Sequence, residues 1–210
     1  VINNINLIKP LLNFSDEGDF YMLYVFKRKK DQPEGEKDNH QSVRTIKSYC
    51  VTSIEYLEKR YDEIIQLCEM FKARAYIHVV KQNHKDVGLN MITEIVTRIK
   101  SGQINQKNVF DSVVGQIKTT EKRWIIDLDN KDTKELVRLI ETLTITRPEG
   151  DKLEKLVPTK NGYHLITKRF DVEMFRNVFP HIDIQKKNPT LLYYPNSLDE
   201  NYERTSDKII

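Results

Sequence analysis

The chain has 210 residues, 39% of them apolar and 31% charged, with a formal net charge of +3. That length supports one substantial core, split at most into two lobes, and no run approaches the ~20 apolar residues of a membrane span. A charge this close to balance does not by itself imply an anionic partner, so local clustering must carry any such argument. No secretory signal is expected from the first residues, and the opening Val1 leads us to expect a trimmed start. Cys50 and Cys68 make no metal-ligand spacing and are expected as reduced core residues of a cytoplasmic protein.

In chain order, residues 1–19 read as a loosely structured lead-in with Pro10 and an Asp16–Asp19 turn. Phe20–Lys27 and Val43–Thr52 read as two strands of a hairpin, joined by a charged loop that begins with the basic run Lys27–Lys30. Ser53 suits the N-cap of a helix to about Lys72, with Ile54, Leu57, Tyr61, Ile64, Cys68 and Phe71 on one face. Ala73–Lys81 reads as a strand. Asp86 is expected to cap a helix to Ser101 whose buried stripe is Leu89, Ile92, Val96 and Ile99, with Gly102 at its end. A shorter helix is expected over Val109–Ile117.

The next stretch, Arg123–Asn130, reads as a buried strand carrying two acids. Trp124, Ile126 and Leu128 alternate onto one face; Ile125, Asp127 and Asp129 fall on the other. Acids two apart on a strand stand roughly 6.5–7 Å apart at Cβ, within reach of a shared divalent cation. The plainer alternative is that the strand ends at Asp127 and its acids open a turn. A helix follows over Thr133–Leu143, then a loop over 146–160, a strand over Tyr163–Lys168, a short helix from Asp171, a short strand His181–Gln185 and a strand Leu191–Tyr194. Strand–helix–strand units with hairpin-like ends give an α+β class with an antiparallel or mixed sheet.

Two further stretches bear on chemistry. Thr159-Lys160-Asn161-Gly162 makes a turn that leads straight into the strand bearing His164. Backbone N–H groups, a hydroxyl, a lysine and an imidazole suit phosphate oxygens there, although an ordinary hairpin turn has the same composition. On Phe179–Gln185, Ile182 and Ile184 face inward, while His181, Asp183 and Gln185 face out or into a cleft; Asp183 also reads as an edge-strand carboxylate. Arg74 and His78 share a strand face and are candidate cleft residues. Lys27–Lys30, Lys168, Arg169, Lys186 and Lys187 are candidates to track a nucleic-acid backbone, or form a solvated surface.

Taken together, Asp127-x-Asp129, the turn ending Gly162-x-His164, and Asp183 after Pro180 resemble the motif set of the archaeo-eukaryotic primase superfamily. The resemblance covers about residues 120–187; the family's usual serine in the second motif is replaced by Thr159 or Asn161, and the short gap from His164 to Asp183 leaves no room for an inserted zinc module. It implies an RRM-like catalytic unit over 120–195, an N-terminal α/β subdomain over 1–119 and a polar tail over 196–210. It implies a template-dependent nucleotidyltransferase, a DNA primase or primase–polymerase domain, in which Asp127, Asp129 and Asp183 hold Mg²⁺ or Mn²⁺ and act as the catalytic acids. His164, Thr159, Lys160, Asn161 and Gly162 then grip the nucleoside triphosphate, and Arg74, Lys168 and Arg169 contact the template or line the cleft. The implied partners are single-stranded DNA, nucleoside triphosphates and a helicase, on a separate chain or a further region, and no membrane. A two-metal nuclease and a non-catalytic replication-associated module are the alternatives.

Overall fold

The computed structural model of the chain describes residues 1–28, 31–32, 43–103, 108–117 and 122–198. The first half runs β1 (Ile2–Asn3), α1 (Ile5–Ile8), β2 (Asp19–Arg28), β3 (Val43–Val51), α2 (Ile54–Phe71), β4 (Arg74–Ile77), β5 (Gln82–Asn83), α3 (His84–Lys100) and α4 (Val109–Gln116). The second runs β6 (Trp124–Leu128), α5 (Thr133–Ile145), β7 (Leu153–Pro158), β8 (Tyr163–Thr167), α6 (Val172–Arg176), β9 (Asp183–Gln185) and β10 (Thr190–Tyr194). These strands form two sheets, β1-β10-β4-β2-β3 with β5 beside β2, and β7-β8-β6-β9. The pairings are antiparallel throughout, which fits the α+β class. Among the described residues no helix is long and apolar enough to cross a membrane.

Helix α2 forms where its single apolar stripe demands. Ser53 Oγ accepts the Tyr56 N–H at one end, and Lys72 turns left-handed (φ 48°) at the other. Leu57, Tyr61, Ile64 and Cys68 pack on Tyr21, Leu23, Val25 and Ile77 of the first sheet. On the opposite face, Phe20 and Met22 meet Val87 of α3 and Val109, Val113 and Val114 of α4. In the second sheet, Trp124, Ile126, Leu128, Leu165 and Ile184 pack on Leu139 and Leu143 of α5 and Phe175 of α6. Its other face turns toward the first sheet, where Ile125, Val157 and Ile166 close on Leu11 and Val79.

Two polar side chains fasten the sheets together. Arg123 Nη1 donates to the carbonyls of Leu11 (2.9 Å) and Val79 (3.0 Å), and its Nε pairs with Glu154. Asn4, 2% exposed, donates from Nδ2 to the carbonyls of Pro158 and Leu191, both at 2.9 Å.

Four expectations are corrected. The lead-in is structured, because β1 pairs with Tyr193–Tyr194 and Ile8 and Leu12 fill the core beneath α2. The loop expected over 146–160 contains β7, an edge strand whose alternation is masked by charged residues and whose last residue, Pro158, has no N–H to lose. The strand β10, within 120–195 by sequence, hydrogen-bonds β4 and β1 and so belongs to the first sheet. In α3 the expected stripe of Leu89, Ile92, Val96 and Ile99 is exposed, while Val87, Met91 and Ile95 turn inward. Lys29, Lys30 and the tail from 199 lie outside the described residues.

Candidate active site

The strand β6 sits between β8 and β9, and its register sets the chemistry. Asp127 is the Cα partner of His164 on one side and of Asp183 on the other. Laterally paired residues project to the same side of a sheet, so Asp183, Asp127 and His164 stand in one row. That side is the one bearing Ile125 and Ile166, the side turned toward the first sheet. A cavity of about 220 Å³ opens beside the row. Its second-sheet wall includes Asp127, Asp129, His164 and the turn Thr159–Asn161; its first-sheet wall includes Phe26, Arg28, Arg74 and Tyr76. Asp183 is exposed beside Asp127 and shares a donor with it: Gln185 Nε2 donates to Asp183 Oδ2 at 2.7 Å and to Asp127 Oδ2 at 3.4 Å.

Burial pushes the Asp127 carboxyl up to about 6, and the neighbouring charges of Asp129 and Asp183 push the same way against Arg28 and Gln185. Burial pulls His164 down to about 4, with Arg28 in the same sense and Asp129 opposed. At neutral pH His164 is therefore uncharged, and its Nε2 approach to Asp127 Oδ1 at 3.5 Å is a polar contact and not an ion pair. The far nitrogen, Nδ1, lies 3.0 Å from Thr190 Oγ1, a fully buried hydroxyl. A lone pair facing the Asp127 carboxylate would be repelled, so the proton belongs on Nε2 and Thr190 donates to Nδ1. The imidazole thus presents an N–H to the cavity.

The turn before β8 is closed on itself. Thr159 N–H donates to the Gly162 carbonyl (2.9 Å), and Gly162 N–H donates to Thr159 Oγ1 (3.1 Å). Gly162 lies against the end of β6: a Cβ there would stand 1.8 Å from the Leu128 carbonyl oxygen and 2.6 Å from that of Asn130. Only glycine lets the turn approach the end of β6, where Asp127 lies in the strand and Asp129 just past it. Lys160 Nζ lies 5.4 Å from the Tyr194 ring centroid and the Arg74 guanidinium 4.9 Å from it. Arg74 is 5% exposed and bound to Asp31 at 2.6 Å, so it is a fixed part of the wall and not a loose basic contact.

Asn188 lines both this cavity and a second one of about 290 Å³. The second has an apolar floor including Met22, Val79 and Val114, and its cations are Lys122, Arg123, Arg169, Lys186 and Lys187. Lys186 Nζ lies 4.9 Å from the Trp124 ring centroid, and Lys187 Nζ donates to the Gly115 carbonyl. His78 also lies there, pulled down to about 4 by burial. Lys168 is exposed past the end of β8 and lines neither cavity.

Comparison of the chain with protein-family models, curated proteins and solved structures finds no match.

Among the described residues no three acidic, imidazole or thiol side chains already close on one point. The donor set nonetheless suits a hard divalent cation. It consists of carboxylate oxygens of Asp127, Asp129 and Asp183, and the Gln185 amide, a neutral donor, lies within reach of two of them. The site also contains residues that sequence reasoning missed. Thr190, Phe26, Tyr76 and Tyr194 come from the first sheet, whose strands reach the cavity only through tertiary folding. Arg28 was visible only as one of a basic run, and the effect of its charge on Asp127 and His164 across the cavity was not.

Proposed function

We propose that the chain is a template-dependent nucleotidyltransferase of the primase or primase–polymerase type, acting at the cavity between its two sheets. The observation that carries this is the single row Asp183–Asp127–His164, flanked by the Gly162 turn and faced by cations of the other sheet. The β-α-β-β-α-β order of the second sheet, with strands in the order second, third, first, fourth, supports the RRM-like reading.

Asp127, Asp129 and Asp183 would hold Mg²⁺ or Mn²⁺, which when bound lowers the pKa of a primer 3′-hydroxyl and neutralises charge on the departing pyrophosphate. With nucleotide bound, the His164 Nε2–H, which faces Asp127 Oδ1 at 3.5 Å in the free chain, would donate instead to a triphosphate oxygen, its tautomer held by Thr190. Lys160 and Arg28 bring positive charge to the same cavity, where acids alone would repel a polyanion. Phe26 and Tyr76 stack with centroids 4.8 Å apart and planes within 9°, an aromatic wall suited to a nucleobase. Arg169, Lys186 and Lys187 lie along the adjoining cavity and suit a single-stranded DNA backbone.

Incubation with primed and unprimed single-stranded DNA, labelled nucleoside triphosphates and Mn²⁺ tests the proposal. Elongated primers or new oligonucleotides are expected, abolished in Asp127→Asn. Shortened DNA without incorporation would replace it with the nuclease reading, and neither product would leave a binding module.

A further inference from the structure

Helix α3 carries two apolar stripes, and the described residues cover only one. Val87, Met91 and Ile95 pack toward α4 and β2. Leu89, Ile92, Val96 and Ile99 are 58%, 62%, 45% and 63% exposed. These four recur at steps of three, four and three. That is the a and d spacing of a heptad, the narrow seam of two paired helices and not the wide face by which a helix sits on a sheet. Asp86, Thr93 and Lys100 are also exposed and occupy the e positions beside the seam, with the two charges equidistant from Thr93.

We propose that this seam is a self-association surface, on which α3 of a second copy lies antiparallel about a twofold axis near Thr93. In that arrangement Leu89 meets Ile99 of the other copy and Ile92 meets Val96. Antiparallel seams bring e positions opposite e positions, so Asp86 faces Lys100 of the other copy twice per dimer. The charge pattern of one helix is thereby complementary to itself. The charges of the helix are of both signs, Lys85, Arg98 and Lys100 against Asp86 and Glu94, without the strong basic excess of a helix that lies on a membrane. The exposed parts of these four residues amount to roughly 400 Å² per copy, so a pair withdraws roughly 800 Å² through the seam alone; the flanks must add more to clear the roughly 1,000 Å² a specific interface needs, which makes this a weak, reversible association. Gly88 sits beside the seam, and a Cβ there would meet nothing within 4 Å in its own chain, so packing inside one copy does not call for a glycine.

The surface is independent of the activity proposed above and is tested without it. Sedimentation equilibrium of the whole chain from about 1 to about 200 μM should show a monomer–dimer equilibrium with a dissociation constant on the order of micromolar. The heavy species should have twice the 24.9 kDa chain mass. Ile92→Asp with Val96→Asp should give a monomer whose melting temperature matches that of the parent at concentrations below the dissociation constant, since both positions are exposed in the single copy. Lys100→Glu should weaken dimerisation about tenfold by turning two attractive pairs repulsive. Adding Asp86→Lys to Lys100→Glu should restore it. A parent protein monomeric throughout the range overturns the proposal, whether or not it binds anionic vesicles. A dimer indifferent to the Ile92 and Val96 changes, or a double swap that fails to rescue, also overturns it.

Discussion

At the scale of single residues, the site turns on two groups whose protonation the fold has moved. Asp127 takes a proton up to about pH 6, against 3.8 for a free side chain. A raised carboxyl binds its proton more tightly folded than unfolded. Its contribution to stability is therefore fully present below about pH 4 and is lost as pH rises through about 6. In metal-free protein, Asp127→Asn should raise stability by about 1–3 kcal/mol at pH 7.5, with the gain shrinking to nothing near pH 4. Thermal melts in chelator across that range check it; a gain that persists at pH 4 would show that charge relief is not its source. Thr190 is a positioning residue, acting through His164 Nδ1. Thr190→Val keeps the shape but not the hydroxyl, and should weaken triphosphate binding about tenfold with turnover at saturation little changed. Thr190→Ser should recover most of the loss, which a packing defect would not allow. His164 itself was readable from Gly162-x-His164. Its tautomer was not, because Thr190 lies 26 residues away and meets it only when β10 joins the first sheet.

Elements were legible where one apolar stripe matched one period. Helix α2 has a single stripe, a serine cap and a left-handed stop, and its sequence boundaries agree with the fold. Helix α3 has apolar residues on both sides, so periodicity identified the helix but not which side the chain buries. The edge strand β7, Leu-Glu-Lys-Leu-Val-Pro, sits in a stretch rich in charge and turn residues and gave no clear alternation. The turn between β7 and β8 was recognised by composition, but the reason for its glycine is a contact with another strand. Gly162→Ala must push Cβ into the Leu128 carbonyl, so either the turn or the end of β6 must shift. A loss of about 2–4 kcal/mol in stability is expected by denaturant titration, together with loss of nucleotide binding. A variant of parental stability would mean that the turn is free to move away from the acids.

On the scale of the whole molecule, the cavity exists because two antiparallel sheets face each other and contribute opposite charge. The acids and His164 come from the second sheet, and Arg28, Arg74 and the aromatic pair from the first. Arg123 holds these halves together through carbonyls of Leu11 and Val79, and Arg123→Ala should cost about 2–4 kcal/mol and loosen nucleotide affinity without touching the cavity itself. The short motifs in sequence located one wall; the other is built from strands whose residues carry no motif, and of it the sequence offered only Arg74 as a cleft candidate and Arg28 within a basic run. The central claim is that this cavity holds a nucleoside triphosphate, with His164 as an uncharged donor beside the acids. Calorimetric titration of the parent and His164→Ala with a nucleoside triphosphate and Mn²⁺, and separately with single-stranded DNA, tests it most directly. Loss of one hydrogen bond to a charged oxygen should weaken nucleotide binding roughly ten- to hundredfold and leave DNA binding unchanged. Equal nucleotide affinity in the two proteins would contradict the claim.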